Sequence, residues 1–232
     1  MTTELESRRP ALRLDNSHPD MFGQTPSQTV GPYFHYGLPW KGGADLTGQL
    51  EIGARPDLYP VSHYVLRSPG SASEMPMGEV IDIIGCVLDG RGDPVPDAMI
   101  EIWQANSVGR YYSTDDTRKD PPMDPHFIGF GRAATAEDGS YRFRTIYPGR
   151  VPGGGNILQA PHIAVSVFAR GLLNRLVTRI YFDGAEGNGE DPILNLVEEE
   201  RRSTLLAVRS APDRWSFDIV LQGDNETVFF TI

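Results

Sequence analysis

Gln159-Ala160-Pro161-His162-Ile163-Ala164-Val165-Ser166-Val167-Phe168-Ala169-Arg170-Gly171 is the stretch that decides the fold. Ile163, Val165 and Val167 alternate with the small residues Ala164 and Ser166, and in an extended chain side chains two apart share a face. The reading is a buried strand with one apolar face. His162 and Ala164 lie together on the other face, so a metal bound there would find one imidazole on this strand and no second. Arg170 stands at the exit, just before Gly171.

Strand signals recur on both sides of this segment. Residues 80–88 form an apolar run that ends at Asp89-Gly90-Arg91-Gly92, a hairpin turn signal, and residues 98–104 resume the alternation. Residues 130–135 and 141–146 flank the tight-turn sequence Glu137-Asp138-Gly139-Ser140, which predicts antiparallel neighbours. Residues 176–182, 215–221 and 227–232 supply further strands, and residues 195–208 carry the spacing of one short amphipathic helix. The expected fold is all-β, a sandwich of antiparallel strands with long loops and a short helix. Residues 1–24 lack hydrophobic periodicity and are expected to be a mobile segment. Residues 25–232 then form one domain, whose proline-rich part, residues 25–78, reads as an interface arm. Tyr33, Phe34, Tyr36, Trp40, Tyr59 and Tyr64 sit on that arm as expected interface anchors.

The chain has 232 residues, 39% of them apolar, enough for one domain with a sizeable core. Its formal charge of -10 leaves no clustered lysine and arginine surface to displace counterions, so neither nucleic acid nor an anionic membrane is an expected partner. Cys86 is the single cysteine, which excludes an intrachain disulfide framework and any zinc site built on cysteines. Residues 1–22 lack an apolar signal core, and no run approaches 18 apolar residues. A soluble, cytoplasmic protein is expected.

Tyr111 follows Gly109-Arg110, Tyr147 precedes Pro148-Gly149, and His162 opens the central strand. Phenolate oxygens and imidazole suit a hard ferric ion better than zinc or copper. The same residues also fit a plainer role as core aromatics and a satisfied structural histidine, and their types alone leave both readings open. His35, His63 and His126 have no ligand spacing, Gly153-Gly154-Gly155 reads as a flexible loop, and no nucleophile elbow or P-loop is present.

Several motifs in one order resemble the intradiol ring-cleaving dioxygenases. They are Thr25-Pro26-Ser27-Gln28-Thr29-Val30-Gly31-Pro32-Tyr33, Ile100-Glu101-Ile102-Trp103-Gln104-Ala105-Asn106, Gly129-Phe130-Gly131-Arg132, Thr145-Ile146-Tyr147-Pro148-Gly149, Pro161-His162-Ile163, Phe168-Ala169-Arg170-Gly171 and Thr178-Arg179-Ile180-Tyr181-Phe182. The catalytic chains of that family hold ferric iron with two tyrosines and two histidines, the histidines spaced H-x-H on one strand. By this resemblance Tyr111 and His162 fall where the first tyrosine and first histidine belong, whereas Val151 and Ala164 take the places of the second pair. Gln159 stands where a catalytic chain carries an arginine near its substrate. The resemblance therefore implies the non-catalytic sister of a duplicated pair, with no metal of its own and with Fe(III) bound by a homologous beta subunit. It further implies a small aromatic substrate at the subunit cleft, lined from this chain by Thr29, Gly31, Pro32, Tyr33 and Arg170. A plain sandwich scaffold or carrier, or a metalloenzyme that recruits His126 or Tyr112, are the rival expectations.

Overall fold

The core begins on Val80–Leu88 (β1), where Ile81, Ile83 and Val87 are fully buried. The computed structural model describes residues 43–50, 74–155 and 157–231; the segment 1–24, Thr29, Gly31, Pro32, Tyr33 and the arm aromatics lie outside the described residues. After β1 come Met99–Trp103 (β2), Phe130–Ala134 (β3), Ser140–Ile146 (β4), Val151–Pro152 (β5), Leu158–Gln159 (β6), His162–Phe168 (β7), Leu176–Phe182 (β8), Leu206–Ala211 (β9), Arg214–Ser216 (β10) and Ile219–Val220 (β11). Except for the small β5-β6 ribbon, these strands make one hydrogen-bonded path, β11-β1-β10-β9-β8-β7-β2-β3, with β4 added on β1.

The path turns back on itself, so the apolar faces of β1 and β4 meet those of β2, β7 and β8 across one core. Ile81, Ile83 and Phe143 on one side share that cluster with Ile100, Ile102, Val165, Val167 and Ile180 on the other. Burying such side chains is the main favourable term, about 1.5–3 kcal/mol for each large one. Gln104 ties the halves together from within: its amide donates to the Ile146 carbonyl at 2.9 Å and its oxygen accepts from Thr145 Oγ1 at 2.8 Å. Gly85 is glycine for a steric reason, since a Cβ there would stand 1.8 Å from the Phe217 carbonyl oxygen.

Two expected hairpins do not form. The Asp89 turn closes, with the Asp89 amide on the Asp93 carbonyl at 2.9 Å, but β1 pairs with β4 while β2 pairs with β3 and β7. The turn between β3 and β4 likewise closes at Ala136 and Gly139 and carries the chain from one half to the other. Turn residues fix a reversal of direction; the partner across the ladder is chosen by which faces must be buried.

The helix expected over residues 195–208 is mostly absent. Short 3-10 turns at Leu194–Leu196 and Ser203–Leu205 bracket a single α-turn, Glu199–Arg202 (α1), and the chain then enters β9. The cause is tertiary: β9 adds in parallel to β8, with Leu206 opposite Tyr181 and Ala207 opposite Phe182, and Leu205 and Ala207 are fully buried there. The strand expected at residues 215–221 breaks at Asp218, whose carboxylate accepts the Cys86 amide at 2.8 Å. Residues 227–231 stay extended without joining a ladder, holding Val220 through Thr227 and Val177 through Phe230. Among the described residues no helix is long and apolar enough to cross a membrane.

Candidate functional site

Two loops that touch backbone to backbone create the site. Gly109 has φ +78°, and a Cβ on it would stand 1.9 Å from the Arg150 carbonyl oxygen; one on Gly149 would stand 2.4 Å from the Gly109 nitrogen. Asn106 braces the crossing, its side-chain oxygen accepting the amides of Val108 and Arg110 at 3.1 and 2.9 Å while its own carbonyl accepts the Gly149 amide at 2.9 Å. Only glycine permits this approach. Two residues beyond each glycine stand Tyr111 and Val151, which the crossing sets on one hollow.

The hollow has a volume of about 490 Å³ and is lined by Trp103, Tyr111, Ser113, Asp115, Asp116, Thr117, Arg118, Val151 and Pro152. Tyr111 stacks on Trp103 with ring centroids 5.7 Å apart and planes 13° from parallel. Burial pushes its phenol above the usual range, so it is a protonated O–H donor at neutral pH. Asp116 fixes the loop by accepting the Tyr111 amide at 3.0 Å and two Arg118 nitrogens at 2.7 and 2.8 Å. The Arg118 contact holds the Asp116 carboxyl down at about 2.

Sheet register places the remaining residues. Trp103 on β2 is opposite Ala164 on β7, and Ala164 is opposite Arg179 on β8, so a methyl group lies between an indole and a guanidinium. One step along, His162 is opposite Tyr181. His162 is buried, its Nδ1–H donates to the Ala160 carbonyl at 2.8 Å, and its ring stands 5.7 Å from that of Tyr181. Burial, with the Arg179 charge as the second cause, brings its pKa down to about 4, so the imidazole is neutral. Arg179 Nη1 donates to Gln159 Oε1 at 2.7 Å and to the Tyr181 hydroxyl at 3.3 Å. Gln159 in turn pairs with Val151 across the β5-β6 ribbon, and its amide reaches the Pro152 carbonyl at 3.1 Å. Beneath them Asp191, fully buried, accepts the Tyr181 hydroxyl and the amides of Ala160, Ile193 and Leu194, all within 3.0 Å.

Tyr111 and Val151 thus share one hollow with Trp103, and Ala164 stands opposite Trp103 in the ladder, two residues along β7 from His162. Arg170 is not among them: it follows the far end of β7, eight residues and about 26 Å of extended chain from His162, with its side chain half exposed and 3.7 Å from Asp97. Tyr147 also stands apart, packed on Phe182 at 4.5 Å and Trp215 at 6.1 Å as a core aromatic. Of the residues offered as recruits, His126 pairs with Glu74 at 3.2 Å and Tyr112 is exposed. Among the described residues no group of three or more His, Cys, Asp or Glu could hold a metal. Ferric iron does not fit this locus on donor chemistry: an isopropyl and a methyl group supply no lone pair, and the residue opposite Ala164 on β8, Arg179, is a cation. Arg179 is the residue that motif reading passed over. Its signal was the register with Ala164, which becomes visible only once β7 and β8 are paired.

The family described as Dioxygenase matches residues 61–223 of the chain. The chain is 42% identical over 218 residues to the protocatechuate 3,4-dioxygenase alpha chain of Burkholderia cepacia, a match covering 90% of this chain and 98% of the relative. It is 39% identical over 180 residues to the beta chain of the same name from Burkholderia cepacia, covering 74% of this chain and 76% of the relative. Among solved structures it resembles the dioxygenase domain of a dioxygenase carbohydrate-binding protein fusion from Streptomyces sp. SirexAA-E, with 30% identity, a TM-score of 0.50, and coverage of 66% of this chain and 85% of that one.

Proposed function

The chain belongs to the intradiol dioxygenase family, and from that premise we propose that it is the alpha, non-iron-binding subunit of a protocatechuate 3,4-dioxygenase. The enzyme cleaves 3,4-dihydroxybenzoate with O2 to 3-carboxy-cis,cis-muconate, and its Fe(III) resides in a homologous beta subunit. One observation carries this reading: Val151 and Ala164 stand beside Tyr111 and His162, so the locus that resembles the family's iron site keeps two possible donors and lacks two. The similarity to both an alpha and a beta chain of one organism supports a paired assembly, and the alpha-chain match spans nearly the whole relative.

In this reading the chain works by position. It shapes a cleft with the beta subunit in which a small aromatic substrate lies, and Thr29, Gly31, Pro32 and Tyr33 line that cleft together with Arg170. The half-exposed Arg170 guanidinium, held among the described residues by a 3.7 Å contact with Asp97, supports that assignment. A planar fork pairs with a carboxylate in bidentate fashion, which lysine cannot reproduce. The test is kinetic. In the reconstituted pair, Arg170→Ala should raise KM for protocatechuate about tenfold or more, the effect of losing one charged hydrogen bond. Turnover of catechol, which lacks the carboxylate, should hardly move. Equal losses for both substrates, or none, would return Arg170 to structural duty beside Asp97.

A further inference from the structure

His162 is already prepared for a metal. Its Nδ1–H is spent on the Ala160 carbonyl at 2.8 Å, which leaves Nε2 as a lone pair on an oriented ring, the arrangement that ligating histidines use. One imidazole is too little to keep an ion, and the next position on the same face of β7 is Ala164, a partly exposed methyl that ions from solvent can reach. Across the ladder from that methyl stands a charge. Ala164 is opposite Arg179 and His162 is opposite Tyr181, and directly opposed residues share a face with Cβ atoms about 5 Å apart.

The charge is held in place. Arg179 Nη1 donates to Gln159 Oε1 at 2.7 Å and to the Tyr181 hydroxyl at 3.3 Å. Both acceptors are themselves anchored: the Gln159 amide donates to the Pro152 carbonyl at 3.1 Å, and the Tyr181 hydroxyl donates to the fully buried Asp191 at 3.0 Å. Both are also neutral, so among the described residues these hydrogen bonds fix the guanidinium without cancelling its charge. A divalent ion held between positions 162 and 164 would lie about 6 Å from this cation, and even at the dielectric of water that repulsion weakens binding about tenfold. Beside a buried imidazole such as His162 the factor is larger.

We infer that Arg179 is a built-in cation that keeps metal ions off this face of β7, so that the face would stay free of metal even with a second histidine returned to it. The inference rests on the reading of the chain as a non-iron-binding subunit and extends it. A shortage of donors makes a site that binds weakly; a fixed guanidinium beside the vacant position makes one that also repels.

Calorimetric titration of nickel(II) into the full-length chain, in the assembly in which it purifies, tests the inference, because imidazole suits nickel and no turnover is needed to read it. Ala164→His supplies the second imidazole. In that background Arg179→Gln should take up one nickel per chain at least about tenfold more tightly than the protein that keeps Arg179. Arg179→Lys, which retains a charge and loses the planar fork, should stay as weak as the protein that keeps Arg179. Adding His162→Gln should abolish the gained site, which separates it from nickel on other histidines. Thermal melts show which variants fold. If Ala164→His does not, Arg179→His in the parent removes the cation and adds an imidazole diagonal to His162 in one step, and it should gain a nickel site that the parent lacks. Equal nickel affinity whether position 179 carries Arg, Lys or Gln overturns the inference, as does a folded Arg179→Gln or Arg179→His protein with no gained site. Tight binding in both the Lys and the Gln versions overturns it too, since the shape of the fork and not its charge would then be the obstacle. Iron content of the parent chain tests the underlying reading, and nickel affinity ordered by the charge at position 179 tests this one, so either can fail without the other.

Discussion

Lowering the pH from about 6.5 to 4.5 should destabilise this protein through one histidine. His162 is 5% exposed, and its Nδ1–H is spent on the Ala160 carbonyl, so protonation would put a second N–H and a charge into a dry site. Burial is the larger cause of the low pKa and the Arg179 charge the next; the Ala160 carbonyl and the Asp191 charge oppose them. Folded His162 titrates at about 4 against an ordinary 6.5. Between those values the unfolded chain takes up a proton that the folded chain refuses, so the stability contributed by neutral His162 is complete above pH 6.5 and is lost as pH falls toward 4. The slope approaches 1.4 kcal/mol per pH unit, which over two units gives about 2.5 kcal/mol, or roughly 5–10 °C in Tm for a chain of this size. Urea midpoints at pH 7.0 and pH 4.5 for the parent and His162→Gln measure it, since carboxylate titrations occur in both proteins and cancel. The parent should lose about 2 kcal/mol more than the variant. Equal losses within about 0.5 kcal/mol would refute the argument from burial.

Asp191→Asn keeps the shape of a fully buried group that accepts four hydrogen bonds but turns an N–H toward the Ala160 amide; it should cost about 2–4 kcal/mol by denaturant unfolding, and a cost under 1 would mean that the network bears little. Gly109→Ala places a methyl 1.9 Å from the Arg150 carbonyl oxygen at φ +78°, so Tm should fall by at least about 5 °C and the Trp103–Tyr111 environment should change in near-ultraviolet circular dichroism; an unchanged spectrum would show that the loop crossing does not set Tyr111. Arg179→Gln removes the second cause of the low His162 pKa, so the imidazole should titrate closer to 6.5 in a proton NMR titration, and no movement would place the guanidinium too far away to matter.

The strands were legible where one face is apolar throughout: residues 80–88 and 176–182 have the predicted limits, and Ile163, Val165 and Val167 enter the core as their alternation required. Pairing was less legible. A turn such as Asp89–Gly92 says that the chain reverses, and the chain did reverse, yet β1 found β4 because both needed cover from the same core. Residues 195–208 show a related limit, since the apolar spacing that suits a helix also suits Leu205 and Ala207 entering the core beside β8. At the site, the sequence shows residue by residue that Val151 and Ala164 carry no side-chain donor atom. The cation beside Ala164 was not legible, because Arg179 lies 15 positions away and only the β7-β8 register brings the two side by side.

Iron content per chain separates a non-iron-binding alpha subunit from a self-sufficient metalloenzyme. The chain purified alone, and then with a beta subunit, should be assayed for iron per chain and for the visible tyrosinate-to-iron absorption of the family's catalytic chains. No stoichiometric iron and no band are expected for this chain alone, and one iron per pair with the band when the beta subunit is present. One iron per chain with the band in the isolated protein would contradict it, because Val151 and Ala164 offer that metal nothing to bind.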